Sequence, residues 1–451
     1  MRATLAYHRL EDALEEREGI RATKDLMPEI SPLERDTFGH YLLRYLHGEV
    51  QELTGDHQGA KTLLAPWSLD STALDVYPFL QSIGRVTLGN ILVSLNEYGK
   101  ADTIMGAALD YYNMPSGARA DTSFQVLTLI GYGTTKYHVD EHGLTDSLLV
   151  QSFGYITGQN ERSRFIRMKI LNNRASNAFQ VRKYALADSL HREVTALLHT
   201  FPEDRLLGFR ANFQYSVGHN SHQQRHFRTA RRHFLNSIPL AEKGYPEDSL
   251  GLAYLYGGAG VVLRVLEDYT PAKSYLEHAL ALRLPIVGPE SLDAAATYYP
   301  LGRLYLETKD YARSRYFLEQ ALRIQENSKE VAAQASIPST LSTLGLLQTA
   351  IGDFEEAEAT LLRMLDLQKK SGTSSIFLAW EFLGQLYYRW GDYAKSKNYS
   401  QLALQQVKSL VGDQHPYLSN IYVALALATL ELGNAEEATG YVRLAKYALQ
   451  Y

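Results

Sequence analysis

The sequence predicts an all-α protein, a right-handed α-solenoid built from about ten antiparallel helix pairs. Small residues, mostly glycine, recur about every 42 residues along the 451-residue chain. A polar turn motif follows most of them after about seven residues, and a second set of small residues repeats in the same register. Random glycines would not keep both registers, so the period predicts one repeat array in place of two or three compact domains.

The repeat unit is clearest in the C-terminal half of the chain. Gly384 is followed by the turn Gly391-Asp392-Tyr393 and then by Ser396 in the next predicted helix. Two antiparallel helices approach closely only where small side chains face each other, which accounts for the glycine and the serine. The Gly-Asp pair ends one helix and starts the next. Each unit is therefore a helix, a tight turn and a second helix.

We call the small-residue position of the first helix the slot. Its predicted occupants are 39 to 44 residues apart and average 42: Gly48, Gly89, Gly131, Ala175, Gly218, Gly260, Gly302, Gly345, Gly384 and Ala426. The second-helix small residues are Ala60, Ala101, Ala187, Ala230, Ala272, Ser314, Ala357, Ser396 and Ala438. The unit around Gly131 is irregular, because its turn near Asp140 lies late. This spacing predicts a longer first helix or a distorted loop in that unit.

The unit resembles the tetratricopeptide repeat, whose pattern combines a Leu-Gly and a Tyr, a Gly-Asp-Tyr turn, and small residues in the second helix. The 42-residue period is similar to that of the longer, kinesin-light-chain-like repeats, and GDQHP at residues 412–416 matches their inter-repeat link. The resemblance implies a superhelical binding scaffold. We expect a lone helix within residues 1–30 and the repeat array over residues 31–451.

Composition and motifs exclude several classes of function. The chain has no cysteine, which excludes disulfides, thiolate zinc sites and a cysteine nucleophile. No Walker lysine motif, HExxH or GxSxG sequence occurs. We therefore predict no enzyme activity, no catalytic residue, no metal ligand and no cofactor. The N-terminus lacks an apolar signal block, and the apolar stretches are shorter than the roughly 20 residues of a membrane span, which predicts a cytoplasmic protein without a membrane partner.

Two further motifs have ordinary structural explanations. A histidine cluster contains His219, His222, His226 and His233, but no carboxylate lies among them, so a solvated basic surface is favoured over a metal site. The run of small residues at 257–260 is similar to a phosphate-binding loop. It lacks the preceding strand and the third glycine, so close helix packing is favoured.

The resemblance also implies where a partner binds. In tetratricopeptide arrays the first helix of each pair lines a concave wall, and solvent-facing positions near the slot meet the ligand. Carried over residue by residue, the wall contains Lys169, Asn172, Ser176, Asn212, Tyr215, His219, His222, Tyr254, Arg264, Tyr299 and Arg303, and continues to Gln385, Tyr388 and Arg389. Such side chains suit an extended peptide or a partner helix. The alternative is that these positions are merely solvated and that the tyrosines pack between helices.

Charge is unevenly distributed along the chain. Residues 161–233 carry 14 Lys and Arg against 5 Asp and Glu, while the whole chain has a net charge of −5. Arg225, Arg228, Arg231 and Arg232 form a predicted basic patch. This patch could receive an acidic peptide, a phosphate or a nucleic acid, or it could neutralise acidic neighbouring repeats. The pI near 6.3 is not that of a general nucleic-acid binder.

The last predicted helix still carries apolar residues where the sequence stops, and no polar capping helix follows. This arrangement predicts either a homodimer that covers the open face or a longer polypeptide. Arrays of this style resemble the N-terminal regions of bacterial proteins that end in a CHAT domain, a caspase-like protease. The leading hypothesis is a protein- or peptide-binding scaffold. The alternatives are the sensing part of a larger signalling protein, and nucleic-acid or phosphate binding through residues 161–233.

Overall fold

A computed structural model describes residues 57–68, 78–95, 97–113, 122–156, 158–244, 246, 248–413 and 415–449. Within these ranges the chain forms nineteen α-helices and one short 3-10 helix, and it contains no strand. The all-α prediction is therefore confirmed. The predicted helix within residues 1–30 and the slot at Gly48 lie outside the described residues.

The chain divides into two units, residues 1–262 and 263–451. The first unit contains α1 (His57–Ser68), α2 (Pro78–Ser94), α3 (Tyr98–Asn113), α4 (Thr122–His138), α5 (His142–Phe153), α6 (Glu161–Gln180), α7 (Tyr184–Leu198), α8 (Leu207–Gln223) and α9 (Phe227–Gly244). Helix α10 (Ser249–Val265) includes the boundary between the units. The pairs α2–α3, α4–α5, α6–α7 and α8–α9 pack together, and each pair is one predicted repeat.

The second unit continues the same order of helices. It contains α11 (Tyr269–Val287), α12 (Leu292–Glu307), α13 (Tyr311–Asn327), α14 (Val331–Ile351), α15 (Phe354–Ser371), a 3-10 turn (Ser374–Ile376), α16 (Phe377–Trp390), α17 (Tyr393–Val411), α18 (Leu418–Glu431) and α19 (Ala435–Ala448). The pairs α12–α13, α14–α15, α16–α17 and α18–α19 pack together. None of the described helices is long and apolar enough to cross a lipid bilayer.

The slot is where the two helices of a pair come closest. A Cβ added to Gly302 would lie 2.6 Å from Cγ of Leu318, and one added to Gly345 would lie 2.6 Å from Cδ2 of Leu361. The second-helix small residue completes the contact, because the Ser314 hydroxyl donates a hydrogen bond of 2.8 Å to the Gly302 carbonyl. A larger residue at the slot would therefore have to push the helices apart.

We call the residue 16 positions after the slot the knob, because its side chain fills the space that the small slot residue leaves. The eight buried knobs in the described residues are Met105, Leu149 (which lies 16 positions after Gly133, not Gly131), His191, Phe234, Leu276, Leu318, Leu361 and Ser400. Some knobs also reach the following repeat. The Phe234 ring would lie 3.1 Å from a Cβ on Gly218 of its own repeat and 2.8 Å from a Cβ on Gly258 of the next. One side chain thus contributes to two helix contacts.

The Gly131 unit differs from the prediction by two residues. Gly131 lies against Met105 of the preceding repeat, whereas the glycine that faces the knob Leu149 of its own repeat is Gly133. Counted from Gly133, the turn residue Asp140 lies seven positions later, as in the other units. Helix α4 has 17 residues, the same length as α8. The late turn came from assigning the slot to the wrong glycine, and the unit has no elongated helix.

A left-handed residue closes each of the turns between paired helices that the structure describes. It lies seven positions after the slot: Asp140, Arg182, Arg225, Glu267, Lys309, Gly352, Gly391 and Gly433. The left-handed conformation lets the next amide N–H bond back into the helix, as Asp392 N–H does to the Tyr387 carbonyl at 2.9 Å. The Asp392 carboxylate then accepts from the Lys395 amide at 3.0 Å and starts the next helix.

Candidate functional site

In the first unit the predicted wall residues lie on α6, α8 and α10. Lys169, Asn212 and Tyr254 each lie six residues before their slot, and all three side chains are exposed. Asn172, Tyr215, His219 and His222 are half-buried. Because the exposed residues occupy the same position in three successive repeats, the first helices present a repeated row of polar and aromatic side chains.

Tyr215 and His219 form an aromatic cluster within this row. The His219 ring lies 6.0 Å from the Phe179 ring and 6.3 Å from the Tyr215 ring, which in turn lies 5.5 Å from the knob Phe234. Burial lowers the pKa of His219 below its usual range. The imidazole is therefore neutral at pH 7, and it offers hydrogen bonds and flat apolar area in place of charge.

In the second unit the wall residues Arg264 and Arg303 both lie beside an acidic side chain, Glu307, that the sequence interpretation missed. Arg264 is only 8% exposed and donates a hydrogen bond of 2.5 Å to Glu307. Arg303 lies 3.6 Å from the same Glu307 oxygen, while Tyr299 is half-buried. The expectation that Arg264 faces solvent does not match this burial. Glu307 lies four residues after Arg303, and that helical spacing was the available signal.

Burial has a measurable consequence for this cluster. Desolvation lowers the pKa of Arg264, and the nearby Arg303 lowers it further, while Glu307 opposes both effects. The Arg264 Nε and the second Glu307 carboxylate oxygen are buried and make no hydrogen bond. The three side chains therefore form a compact group with one excess positive charge, of which Arg303 is the accessible part. Beyond it, Gln385 and Arg389 are exposed and Tyr388 is half-buried.

Polar side chains connect successive repeats. Ser176 was predicted as a solvent-facing wall residue, whereas its contact with the following repeat was not predicted. Asn173 donates to Thr134 at 3.2 Å, and Ser176 lies 3.2 Å from Ser216. In the second unit the buried Thr340 hydroxyl likewise donates to Gln325 of the preceding repeat at 2.8 Å. Short polar residues beside the slot gave no signal, because they do not disturb the small-residue period.

His191 is the knob of the Ala175 repeat, where other repeats place an apolar side chain or a serine. Its ring nitrogens lie 3.5 Å from Ser216 and 3.5 Å from Asn220, and its ring meets the Phe213 ring at 5.6 Å. Burial lowers the pKa of His191 from 6.5 to about 4, with Asp188 acting to raise it and His233 to lower it. The imidazole is therefore held neutral in the folded protein.

We expect His191→Leu to flatten the dependence of stability on pH. The unfolded histidine takes up a proton below its ordinary pKa of 6.5 and the folded one only near 4. The wild type therefore loses stability as pH falls through that window, by about 2 kcal/mol at pH 5 from this residue. Urea unfolding at pH 7 and pH 5 measures the difference. Exposed His199→Leu is the control, and equal pH losses in wild type and His191→Leu would contradict the assignment.

The arginines of the basic patch are exposed, whereas several other cationic side chains of the surrounding segment are bonded within the chain. Arg225, Arg228, Arg231 and Arg232 are exposed, and Arg225 is the left-handed residue of its turn. Other cationic side chains of residues 161–233 bind groups within the chain and stabilise the fold. Arg210 donates to the carbonyls of Leu198, Phe201 and Pro202 at 3.0–3.2 Å, and Arg174 pairs with Asp146 at 2.9 Å. Only part of the positive charge of this segment is thus available to a partner.

The two remaining motifs have clear positions in the structure. His222 lies near the end of α8 and His226 just before α9, so the turn at Arg225 separates them. Among the described residues, no group of three or more His, Asp or Glu side chains could hold a metal ion. Residues 257–260 lie inside α10, where Gly258 packs against Phe234. The glycine run therefore serves helix packing.

Comparison with known proteins agrees with this architecture. The family model described as tetratricopeptide repeat matches residues 251–327 and 375–445. These two segments contain tetratricopeptide repeats. The kinesin light chain-related 3 protein of Arabidopsis thaliana is 24% identical over 281 residues, which are 61% of this chain and 41% of that protein. The chain thus spans less than half of the length of that curated relative. The tetratricopeptide repeats here are similar to those of a kinesin-light-chain-type protein, as the 42-residue period predicts.

Two solved structures share the fold. The apo form of RapI is 13% identical with a TM-score of 0.58, and the superposition covers 82% of this chain and 97% of that one. A Rap protein complexed with competence and sporulation factor is also 13% identical, with a TM-score of 0.55 and coverage of 82% and 98%. These two neighbours show the fold, and the match to tetratricopeptide repeats supports a protein-binding scaffold in general terms.

Proposed function

We propose that the chain binds a protein or peptide partner through a wall formed by the first helices of its repeats. The observation that carries this proposal is the recurrence of exposed Lys169, Asn212 and Tyr254 at one repeat position. A row with one spacing can follow an extended peptide or a partner helix, and each repeat adds one contact. A Rap protein of similar fold was solved in complex with competence and sporulation factor, which supports a binding role for this chain.

The chemistry of the wall favours a partner with acidic and aromatic or amide groups. Tyr215 and His219 offer neutral hydrogen bonds and flat surface, because His219 has a lowered pKa. Lys169 and Arg303 add accessible positive charge, and the Lys169 ammonium already lies 5.2 Å from the Phe165 ring centre. Tyrosine and arginine are the residues most often found at binding hot spots. We expect the partner to be an acidic peptide or protein segment.

Replacing three wall tyrosines by alanine tests the wall. We expect Tyr215→Ala, Tyr254→Ala and Tyr299→Ala together to weaken binding at least about a hundredfold, because each hot spot contributes about 1–2 kcal/mol or more. The partner is first recovered by affinity capture with wild-type protein and identified. Its dissociation constant for each purified variant is then measured by calorimetry, with melting curves to verify folding.

The matched control replaces tyrosines outside the wall. Tyr184 and Tyr316 are exposed and Tyr275 is half-buried, and none lies on a first helix. Their triple alanine variant should bind with unchanged affinity. If both triple variants bind as well as the wild type, the wall is not the binding surface. If both lose affinity equally, the effect comes from the fold.

A second candidate function rests on the exposed arginines of the basic patch. Arg228, Arg231 and Arg232 lie along α9 and Arg225 lies at its preceding turn. If a nucleic acid or a phosphate ligand binds there, affinity for a labelled single-stranded oligonucleotide should fall steeply with salt. Arg228→Glu with Arg232→Glu should abolish that binding and leave the wall intact. Salt-independent affinity would exclude this function.

The same wall would also suit the sensing part of a larger signalling protein, including one with a CHAT protease. In that case the partner would control an activity carried by another segment of the polypeptide. The sequence of the complete gene and a protease or kinase assay of its full product, with and without the partner, would distinguish this role from a free-standing scaffold.

A further inference from the structure

The turns of two successive repeats carry basic side chains at a position where the other described repeats have an acidic residue or asparagine. Eight positions after the slot, the Ala175 repeat has Lys183 and the Gly218 repeat has His226. The corresponding residues of the other described repeats are Glu97, Glu141, Asp268, Asp310, Asp353, Asp392 and Asn434. An acidic residue stabilises the start of the following helix, whereas a cation opposes the helix dipole, and Lys183 gives α7 no side-chain cap. Local stability is therefore lost at these two turns, which is typical of a site with another role.

The positive charge of these two turns is not neutralised within the described part of the chain. Four exposed cationic side chains form no ion pair with a described residue: Arg182, Lys183, Arg225 and Arg228. Arg174 of the same segment, in contrast, is paired with Asp146 at 2.9 Å. Residues 181–186 and 224–229 contain no acidic residue. The two turns thus present uncompensated charge to the solvent.

Large apolar side chains are exposed beside this charge. Leu144 and Leu186 lie at the same position of two successive repeats, eleven residues after the slot, and they are 40% and 39% exposed. Val181, which is 38% exposed, directly precedes the first basic turn. The other described repeats have no leucine, isoleucine, valine or aromatic residue eleven positions after the slot. Exposed apolar side chains grouped in this way mark an interaction surface more often than isolated ones do.

Hydrogen bonds between repeats bring these positions to one edge of the array. Gln180 donates to the Tyr137 hydroxyl at 2.9 Å, and the Asn177 amide donates to the His142 carbonyl at 2.9 Å. These bonds join the turn ends of the repeats that carry the two leucines. Helices α6 and α8 of the following two repeats are also in contact. Equivalent residues of stacked repeats therefore lie side by side along the turn edge.

The order of charge along this edge determines which partner fits. The Asp140 side chain, which is 94% exposed, lies at the turn that precedes Leu144, so the positive charge does not extend past that turn. A partner would place its acidic groups over the Ala175 and Gly218 turns and its apolar groups over the leucines. A nucleic acid would match the charge, but it carries no aliphatic side chains to cover Leu144 and Leu186. The combination therefore favours a protein segment.

We propose that this edge binds a segment of a partner protein that carries acidic residues beside large apolar ones. We call the three apolar and four cationic residues described above the turn-edge surface. It lies on turns and second helices and contains none of the wall residues, so it is a second interaction site. It shares Arg225 and Arg228 with the basic patch, and it assigns them to an acidic protein segment.

Restoring the usual turn sequence tests this surface without weakening the fold. The turn variant places Gly-Asp, the pair found at residues 352–353 and 391–392, in both basic turns: Arg182→Gly, Lys183→Asp, Arg225→Gly and His226→Asp. Glycine suits the left-handed φ of 58° and 63° at the two arginines, and aspartate suits the start of a helix. The variant should therefore melt at or above the wild-type temperature although the surface has lost most of its positive charge.

Random linear peptides displayed on phage and selected on the full wild-type chain provide the probe. We expect a group of selected peptides that combine Asp or Glu with Leu, Phe or Trp. By fluorescence anisotropy these peptides should bind the turn variant at least about tenfold more weakly, because complementary charge is lost. Leu144→Ser with Leu186→Ser should weaken them at least about fivefold through lost apolar contact. The variant with three wall tyrosines replaced should bind them as the wild type does.

Two matched controls lie in other repeats. Lys309→Gly changes a left-handed cation at the same turn position as Arg182, and Leu362→Ser replaces a leucine that is 40% exposed on α15. Neither should change the affinity of the selected peptides. If the turn variant melts below the wild type, Arg182→Gln with Arg225→Gln replaces it, with the same weakened binding as the expected result.

Three results would overturn the proposal. One is a set of selected peptides that all bind the turn variant as tightly as the wild type, including peptides that lose affinity only for the wall variant. Another is a loss of affinity with the turn variant that the two leucine substitutions do not reproduce. The third is a single-stranded oligonucleotide that binds more tightly than every selected peptide and is released by the turn variant, which would make this edge a nucleic-acid site.

Discussion

Gly302→Leu is expected to lower the free energy of unfolding by about 1–3 kcal/mol or more, because it overfills a close-packed contact. A Cβ at this position already lies 2.6 Å from Cγ and 3.2 Å from the backbone nitrogen of Leu318. The remaining atoms of leucine could be placed only if α12 and α13 moved apart. Urea unfolding followed by circular dichroism measures the change.

Two further variants separate packing from any general effect of the substitution. A Cβ at Gly440 meets nothing within 4 Å, so Gly440→Leu should be neutral or stabilise α19 by up to about 1 kcal/mol through helix propensity. Adding Leu318→Ala to Gly302→Leu should recover part of the loss, because the two residues share one space. A Gly302→Leu protein that unfolds at the wild-type midpoint would show that the slot is assigned to the wrong residue.

Phe234→Ala is expected to cost about 3–5 kcal/mol, the range for removing a buried aromatic side chain. Phe234 is 2% exposed and fills the space beside both Gly218 and Gly258. Its removal therefore opens a cavity at two helix contacts together. Thermal and urea unfolding of the variant measure the loss, and Phe227→Ala at the half-buried start of the same helix should cost less.

A stricter test of this contact asks whether the effect of Gly258→Ala on stability changes sign when the Phe234 ring is removed. In the wild type, Gly258→Ala should destabilise, since its Cβ would lie 2.8 Å from the Phe234 ring. In the Phe234→Ala background the same substitution should stabilise, because the methyl group then fills empty space and improves helix propensity. If Gly258→Ala has the same effect in both backgrounds, the ring does not occupy the position described.

The fold was predictable because two helices that pack closely need a small residue at the contact, and these small residues recur at a regular spacing in the sequence. Gly302, Gly345 and Gly384 each stand seven residues before the left-handed turn residue, and the spacing gave both helices of each pair. Among the described repeats the register failed at Gly131, where Gly131 and Gly133 are both small. One of them packs within the repeat and the other against the preceding repeat. Residue type alone cannot distinguish those two contacts.

The knobs and the wall were harder to predict, for two physical reasons. A knob fills whatever volume remains, so Phe234, His191 and Ser400 can all occupy that position, and no residue type marks it. The exposure of a wall side chain depends on its neighbours. Arg264, for example, is buried where it forms an ion pair with Glu307. Sequence periodicity locates the helix faces, but the contacts between adjacent repeats decide which side chains remain accessible. The binding role of the wall stays a prediction.

The knob that touches two repeats has a consequence for how the protein melts. Because Phe234 stabilises its own helix pair and the next one with the same atoms, neither pair can lose its structure without weakening the other. Nearest-neighbour coupling of this kind makes unfolding spread from pair to pair as a cooperative front. Some repeats are coupled by polar contacts, as between Thr134 and Asn173 or Ser176 and Ser216. Between such repeats, unfolding of one pair should pass less readily to the next. Repeats joined mainly by such polar contacts would then open in separate steps under conditions in which the two repeats joined by Phe234 still melt together.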